Sequence, residues 1–503
     1  SKNTYADAIA TLNKSFNDWS VNVNLGVSLS DSRYEMIGYE GGLKLINFFA
    51  VHNIDFNKAW KAKQSGWHDQ TRAIFANAEI GWKSMIYLTA TGRNDWDSRL
   101  AFSDYKSFFY PSIGLSAILT SMFNAPDWLT YLKVRGSYTE VGNSYGRFMT
   151  TVTYPYDEQT QSWTSTSSYP NTKLKPERTK SWEVGLDARI LNDISLNLTY
   201  YRSNTYNQTF YADLSLSSGY SNIPIQSGNI MNEGLEMSLG YNKQWKDFSF
   251  NTNYTLTWNK NRVKRLADGV YNYATGQPIQ MPELSPLTYG HTDARLILRV
   301  GGSMGDVYGQ RLLKRDLNGY ILNEEGVGLA MENKETYLGS ILPKMNMGWS
   351  LGFVYKGVNL GMTFTGRFGG IVISETQSVL DASGVSKVSA DVRDAGGVQI
   401  NQSKVSAQTY YQTIQGTAAY YTYSATNVRL GELSLSYTLP KKWFDNKVGM
   451  TVGLVGKNLW MIYCKAPFDP ELTTSAASNF YQGFDAYMLP STRNFGFNVK
   501  FQF

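Results

Sequence analysis

The chain has 503 residues, of which 17% are charged and 14% are Phe, Tyr or Trp, and its formal net charge is +6. The basic residues are scattered; the densest groups, Lys173 to Lys180 and Lys260 to Arg265, read as solvated strand ends and loops rather than a nucleic-acid patch. A single cysteine, Cys464, excludes an internal disulfide framework, and no apolar run approaches the roughly 18 residues of a membrane helix. Gly (44) far exceeds Pro (14), which with the aromatic content suits many strands joined by turns.

In chain order, Tyr5 to Leu12 reads as a short helical turn. Trp19, Val21, Val23, Leu25, Val27 and Leu29 then alternate with Ser, Asn and Gly, the two-residue period of a strand with one greasy and one wet face. A polar segment follows to about residue 69. Inside it the apolar Leu45 to Val51 reads as a loop strand or a stretch folded against the wall. Ile74 to Trp82 and Ile86 to Ala90 alternate again across Lys83-Ser84, as in a tight hairpin. The rhythm repeats at 113–119, 132–138, 182–190, 194–200, 235–241, 248–258, 347–355 and 360–364. Near 428–439 the apolar phase slips from even to odd numbers, which predicts a bulge at Gly431. Val448 to Leu454 precede the last strand, in which Phe495, Phe497, Val499, Phe501 and Phe503 share one side.

This gives about fourteen strands whose connections alternate between long and short. Such asymmetry belongs to outer-membrane barrels, which have short periplasmic turns and long extracellular loops. Trp19, Trp82, Trp258 and Tyr437 stand near wall ends, where aromatic girdles form. The opposite faces carry Arg135, Glu183, Asp187, Arg189, Glu236 and Arg367, charges that suit a wet lumen better than a dry sandwich core. The fold class is therefore all-β: a transmembrane antiparallel up-and-down β-barrel in a bacterial outer membrane, touching lipid outside and water inside.

No catalytic constellation emerges, so the chain reads as a non-enzyme without cofactor or metal. The histidines (His52, His68, His291) lack neighbours at ligand spacing. Glu324-Glu325 and Asp391/Asp394 read as solvated loop charges, and Asp316 to Ile321 departs from a calcium loop at its Gly and at Tyr320. Loop aromatics are the binding candidates: Tyr154, Tyr156, Trp163 and Tyr169 in one loop; Tyr410, Tyr411, Tyr420, Tyr421 and Tyr423 in another. Aromatic faces among hydroxyl and amide side chains suit sugars and peptides, and equally suit loop packing.

Several segments resemble the SusC-like (SusC/RagA-type) TonB-dependent outer-membrane transporters. They are Leu88-Thr-Ala-Thr-Gly-Arg-Asn-Asp-Trp96, Tyr110-Pro-Ser-Ile-Gly, Leu132-Lys-Val-Arg-Gly-Ser-Tyr138 with Val141-Gly-Asn143, and the run Leu174-Lys-Pro-Glu-Arg to Asp187. Asn232-Glu-Gly-Leu-Glu236, Val428-Arg-Leu to Pro440, Gly456-Lys-Asn-Leu-Trp460, Asp469-Pro-Glu471 and the terminal aromatic strand continue the series. The resemblance implies a 22-strand barrel, of which residues 1–503 are the C-terminal portion. The plug domain, the TonB-interacting segment, the first strands and any signal peptide are then expected outside this chain. It further implies active import driven by TonB, with a SusD-like surface lipoprotein as partner and an oligosaccharide as cargo, an oligopeptide being the close second. A homodimer of transporter pairs stays open. The alternatives are a passive porin or surface adhesin barrel and, from another class, a secreted β-rich glycan hydrolase.

Overall fold

The computed structural model describes residues 1–503 except 59, 158–161, 165, 267–275, 278–282, 325–327, 473 and 475–478. Its framework is one sheet of fifteen strands, each hydrogen-bonded to its neighbours in chain order. We number these wall strands β1 (Lys2–Phe16), β2 (Trp19–Gly41), β3 (Trp60–Trp82), β4 (Ile86–Asp97), β5 (Phe108–Ile118), β6 (Leu129–Asn143), β7 (Glu177–Ile190), β8 (Ile194–Asp213), β9 (Asn222–Trp245), β10 (Phe248–Arg265), β11 (Met345–Tyr355), β12 (Val358–Phe368), β13 (Asn427–Leu439), β14 (Gly449–Cys464) and β15 (Asn494–Gln502). Every wall pairing is antiparallel. Among the described residues the sheet does not close on itself: β1 pairs with β2 alone, and β15 with β14 alone.

The register keeps apolar residues in rows. Leu435, Leu454 and Phe497 lie side by side across β13–β15, and Val134, Leu186 and Leu198 across β6–β8. Across β13–β15 these side chains are exposed rather than packed, Leu454 65% and Phe497 80% accessible, and across β6–β8 they are half-exposed. An apolar surface of this extent needs a solvent other than water. Its height fits hydrocarbon. On the apolar face Trp82 and Trp19 mark the short-turn end, and Trp96 stands beside Arg72 at the other. Ten residues of β3 separate these levels, about 33 Å along the strand and, at a tilt of about 40°, about 25 Å along the membrane normal, the height of a barrel's apolar band.

The connections sort as expected. At one end most connections are a few residues long, using left-handed conformations at Lys83, Ser84, Asn192 and Lys356-Gly357, and 119–128 and 440–448 are the longer ones there. At the other end lie the stretches 42–59, 98–107, 144–176, 266–344, 369–426 and 465–493. The bulge is where the phase slip placed it: Thr363 pairs with Glu432 and Phe364 with Leu430, so Gly431 is left over.

Two expectations are corrected. Tyr5 to Leu12 is not helical; it lies in β1, paired residue for residue with β2 from Lys2↔Arg33 to Phe16↔Trp19. Ala6, Ala8, Ala10 and Leu12 do alternate, but Tyr5 and Ile9 on the other face blur the two-residue period, and pairing with β2 decides. Leu45 to Val51 is neither strand nor folded against the wall. It caps a ribbon formed by the ends of β2 and β3, which run on for eight residue pairs, Tyr34↔Trp67 to Gly41↔Trp60, beyond the reach of β1 and β4. The buried Asn53 side chain ties the cap, accepting from the Leu45 amide (3.0 Å) and donating to the Leu45 and Phe48 carbonyls (2.8 and 2.7 Å). Ile46 and Phe49 are left 88% and 85% exposed.

The two faces make opposite predictions. Leu454→Arg, mid-height on the apolar face, is expected to destabilise the barrel by about 2–4 kcal/mol. Asn498→Arg on the other face of β15 is expected to cost under about 0.5 kcal/mol. Urea refolding in bilayers, read by heat-modified gel mobility, separates the two.

Candidate substrate-facing site at the long-loop rim

Three of the long connections fold together. Tyr289, Ala294, Leu296, Val307 and Ile341 of 266–344, Ile373 and Ala418 of 369–426, and Phe484 of 465–493 form one buried cluster. Polar contacts fix it. Asp293 accepts backbone amides from Gln310 (3.1 Å), Arg311 (2.7 Å) and Ala418 (2.6 Å), so one carboxylate joins two loops. Tyr289 donates its hydroxyl to the Phe480 carbonyl (2.7 Å), and Ile371–Ser374 pairs in parallel with Phe484–Asp485. Helices at Glu375–Ala382, Lys387–Asp394 and Ala407–Ile414 each begin with a serine, Ser374, Ser386 and Ser406, whose hydroxyl accepts the amide three residues on.

This loop domain relocates one set of binding candidates. Tyr411 and Tyr421 are buried, with Leu313, Leu329, Ile400 and Ile414, in a second cluster; Tyr410, Tyr420 and Tyr423 pack half-buried around it. The Tyr420 hydroxyl accepts the Leu313 amide at 3.1 Å. The expectation that these five rings stand open in a polar loop is therefore corrected for Tyr411 and Tyr421, because the segment buries its own apolar face. Burial, with the Asp381 charge adding, pushes the Tyr423 phenol up to about 12, and burial raises Tyr289 and Tyr421 further.

The first set is displayed. In 144–176, Tyr154, Tyr156 and Trp163 are 62%, 50% and 71% exposed. Tyr156 and Trp163 face each other across a small hairpin with centroids 5.1 Å apart, and Tyr169 meets Tyr220 edge-on at 5.1 Å. The base of the loop is held by Leu100, Phe108, Tyr145 and Leu174, and by the buried Asn171, which donates to the Pro224 carbonyl.

On the sheet face opposite the apolar wall, Arg135 donates to Glu183 (3.0 Å) and to the Thr199 hydroxyl (2.7 Å), and lies 3.8 Å from Asp187. Gly185, opposite Arg135, leaves the room: a Cβ there would meet the guanidinium at 2.7 Å. Asp187 also accepts from Asn197, Arg189 lies over Tyr131 (5.7 Å), and Glu236 shares this face between Thr199 and Thr257. Arg367, under the loop domain, donates to the Ile341 carbonyl at 2.8 Å.

Sequence reading missed the clasps at the rim. Arg429 and Asp469 form a buried bidentate pair (2.8 and 2.9 Å), with Asn427 bonded to Arg429 and Glu471. Tyr110 and Arg93 both donate to Asp95 at 2.7 Å, and Asp97 is shared by Arg99 and Ser144. The signal was present, since these residues lie in or beside the segments that carry the family resemblance. His68 also gains a partner that chain spacing hid, Asp31 at 2.7 Å. Among the described residues no group of three or more His, Cys, Asp or Glu is placed to hold a metal. Asp316 accepts the amides of Asn318 and Tyr320, an ordinary turn. Asp391 pairs with Lys387, and Glu325 lies outside the described residues.

An antiparallel wall with one lipid-compatible face, short turns at one rim and a folded loop domain at the other defines an outer-membrane β-barrel. The family model "TonB dependent receptor-like, beta-barrel" matches residues 2–322, and the chain belongs to that family. It is 25% identical, over 99% of its length and 52% of the relative's, to TonB-dependent receptor P3 of Formosa agariphila. It is also 25% identical over 47% of its length, and 22% of the relative's, to TonB-dependent receptor SusC of Bacteroides thetaiotaomicron. In fold it is similar to the RagAB peptide importer in the "closed-closed" state (TM-score 0.75, 18% identity, 99% of this chain and 55% of that one) and in the "open-open" state (TM-score 0.75, 19% identity, 99% and 54%). The SusC/RagA-type resemblance read from the strand-end motifs is thereby shown. The chain spans about half the length of the curated relatives it matches.

Two measurements check this rim. In the folded state Asp469 is desolvated, which alone would raise it, yet its bonds to Arg429 hold it below the ordinary carboxylate range. Asp469→Asn leaves Arg429 half-paired, at an expected cost of about 3 kcal/mol, and hydrogen exchange in 465–493 should speed up while the wall stays protected. The raised tyrosines carry the opposite sign. Their contribution is whole below pH 10 and is lost as pH rises through about 12, so limited proteolysis should cut 369–426 at pH 11.5 and spare it at pH 9.

Proposed function

We propose that this chain is the C-terminal portion, residues 1–503, of an active importer. Its wall strands, with further strands and a plug supplied from outside the chain, enclose a gated lumen. The two unpaired edges, β1 and β15, support that reading, since a barrel leaves no edge in hydrocarbon. Arg135, Glu183, Asp187, Arg189, Glu236 and Arg367 would then face the lumen.

The observation that carries the importer reading is the built rim. Three loops joined through one buried cluster around Tyr289 and Phe484 make a fixed platform at the mouth. On the 144–176 connection of the same rim, Tyr154, Tyr156 and Trp163 present open aromatic faces. We infer that captured cargo is an oligosaccharide or an oligopeptide, handed over by a SusD-like surface lipoprotein and moved with energy from TonB. SusC and RagAB among the similar proteins support this pairing, and RagAB, a peptide importer, keeps the peptide reading level with the glycan one. The process is conformational, with no covalent step, so the chain is not read as an enzyme.

The test is uptake by cells carrying the full-length gene, with labelled oligosaccharides and oligopeptides offered separately. Trp163→Ala together with Tyr156→Ala should lower uptake of one class about tenfold, the worth of a lost aromatic contact, while the amount of folded barrel is unchanged. Undiminished uptake of both classes in cells lacking the gene would refute import.

A further inference from the structure

The apolar face is not uniform. Over β1–β4, in the half nearer the long loops, it sinks into a groove of about 850 Å³ that continues into a second of about 780 Å³. Ala8, Val27, Ile74 and Ala76 line it, and Trp96 and Phe109 stand at its side. Both rings are about half exposed, so they form a wall and do not fill the depression. At this depth, below the Trp96 level, the surrounding medium is hydrocarbon.

Directly above the groove the same face turns cationic. Pairing sets Arg72 beside Leu29 and Trp96, then Asp31 beside Gln70, then Lys2, Arg33 and His68 in one row. The Arg72 Nε donates to Gln70 at 3.1 Å, and its other two nitrogens have no partner among the described residues. Asp31 is already engaged: it accepts from His68 (2.7 Å) and Gln70 (3.2 Å) and lies 3.5 Å from the Arg33 Nε. Glu35 is the next acid, one row further out, opposite Gly66. Lys2, Arg33 and Arg72 therefore surround one committed carboxylate, at headgroup height. Four residues of β3, Arg72 to His68, cover about 13 Å of strand, or about 10 Å of membrane depth.

We propose that this face binds one phosphorylated, multiply acylated glycolipid of the outer leaflet, its chains in the groove and a phosphate between Arg72 and Arg33. A groove for hydrocarbon that ends at cations is complementary to that amphiphile: Arg supplies paired donors to phosphate, and the chains fill space that water would fill at a cost. The site is independent of the cargo, because it faces away from the lumen.

The experiment is native mass spectrometry of the intact transporter extracted from outer membranes, followed by titration with bis-phosphorylated lipid A. One lipid A should stay bound per barrel. The pair Arg33→Gln and Arg72→Gln, and separately the groove-filling pair Ala8→Leu and Ala76→Leu, should each weaken retention about tenfold or more, with heat-modified mobility confirming folded barrels. Dephosphorylated lipid A on the unaltered protein should bind about tenfold more weakly, a comparison that needs no variant to fold. Equal retention of the two lipids overturns the proposal. So does a retained species that proves to be an acylated polypeptide or a second barrel.

Discussion

A chain crossing hydrocarbon can leave no backbone amide unpaired, and this constraint shapes the rest of the molecule. It explains why fourteen consecutive ladders run antiparallel between chain neighbours, with no crossover and no helix in the wall among the described residues. Irregularity is correspondingly sparse. The shifts at Leu129/Tyr131 and Asn229/Ile230 fall at the ends of their ladders, while the Gly431 bulge falls midway along β12, between Thr363 and Phe364, and also shifts the ladder to β14. On either side of it the two-residue alternation of side chains resumes with its parity changed.

Released from that constraint above the membrane, the chain builds ordinary soluble structure. The loop domain has a core, serine-capped helices and a carboxylate, Asp293, serving three amides. Its interior is dry enough to push tyrosines well above their usual range, as water-exposed loops would not. The result is two kinds of stability in one chain. The wall depends on lipid and on its ladders, while the rim depends on burial and on the Arg429–Asp469 clasp. The rim can therefore loosen with the wall intact.

Legibility in the sequence divided along the same line. Wall strands were readable because each residue answers to only two environments, lipid or lumen, and Val184 or Leu196 announces its face. Even the Gly431 bulge showed as a change of parity. β1 was missed because Ala6 to Ala10 carries little hydrophobic contrast and Ile9 sits on the wet face. The rim was poorly legible because its contacts span long separations: Tyr289 meets Phe484, and Arg429 meets Asp469, with no periodicity to betray either pair. Tyr411 and Tyr421 were indistinguishable from Tyr156 and Trp163 by composition; only folding put the first pair inside and left the second out.

The same division bears on what a family resemblance can say. The residues in and around the motifs, among them Arg93, Asp95, Tyr110, Arg429 and Asp469, are joined to one another at strand ends. Asp95 ties neighbouring wall strands and Arg429 ties a loop to the wall, tasks independent of what passes through. Tyr154, Tyr156 and Trp163 lie outside those motifs, on a loop whose base is pinned by Leu100, Phe108, Tyr145 and Leu174. A resemblance carried by clasps defines the barrel and its membrane, and is silent on cargo. Specificity has to be sought where the motifs stop, on the exposed part of 144–176 and the surface of the loop domain.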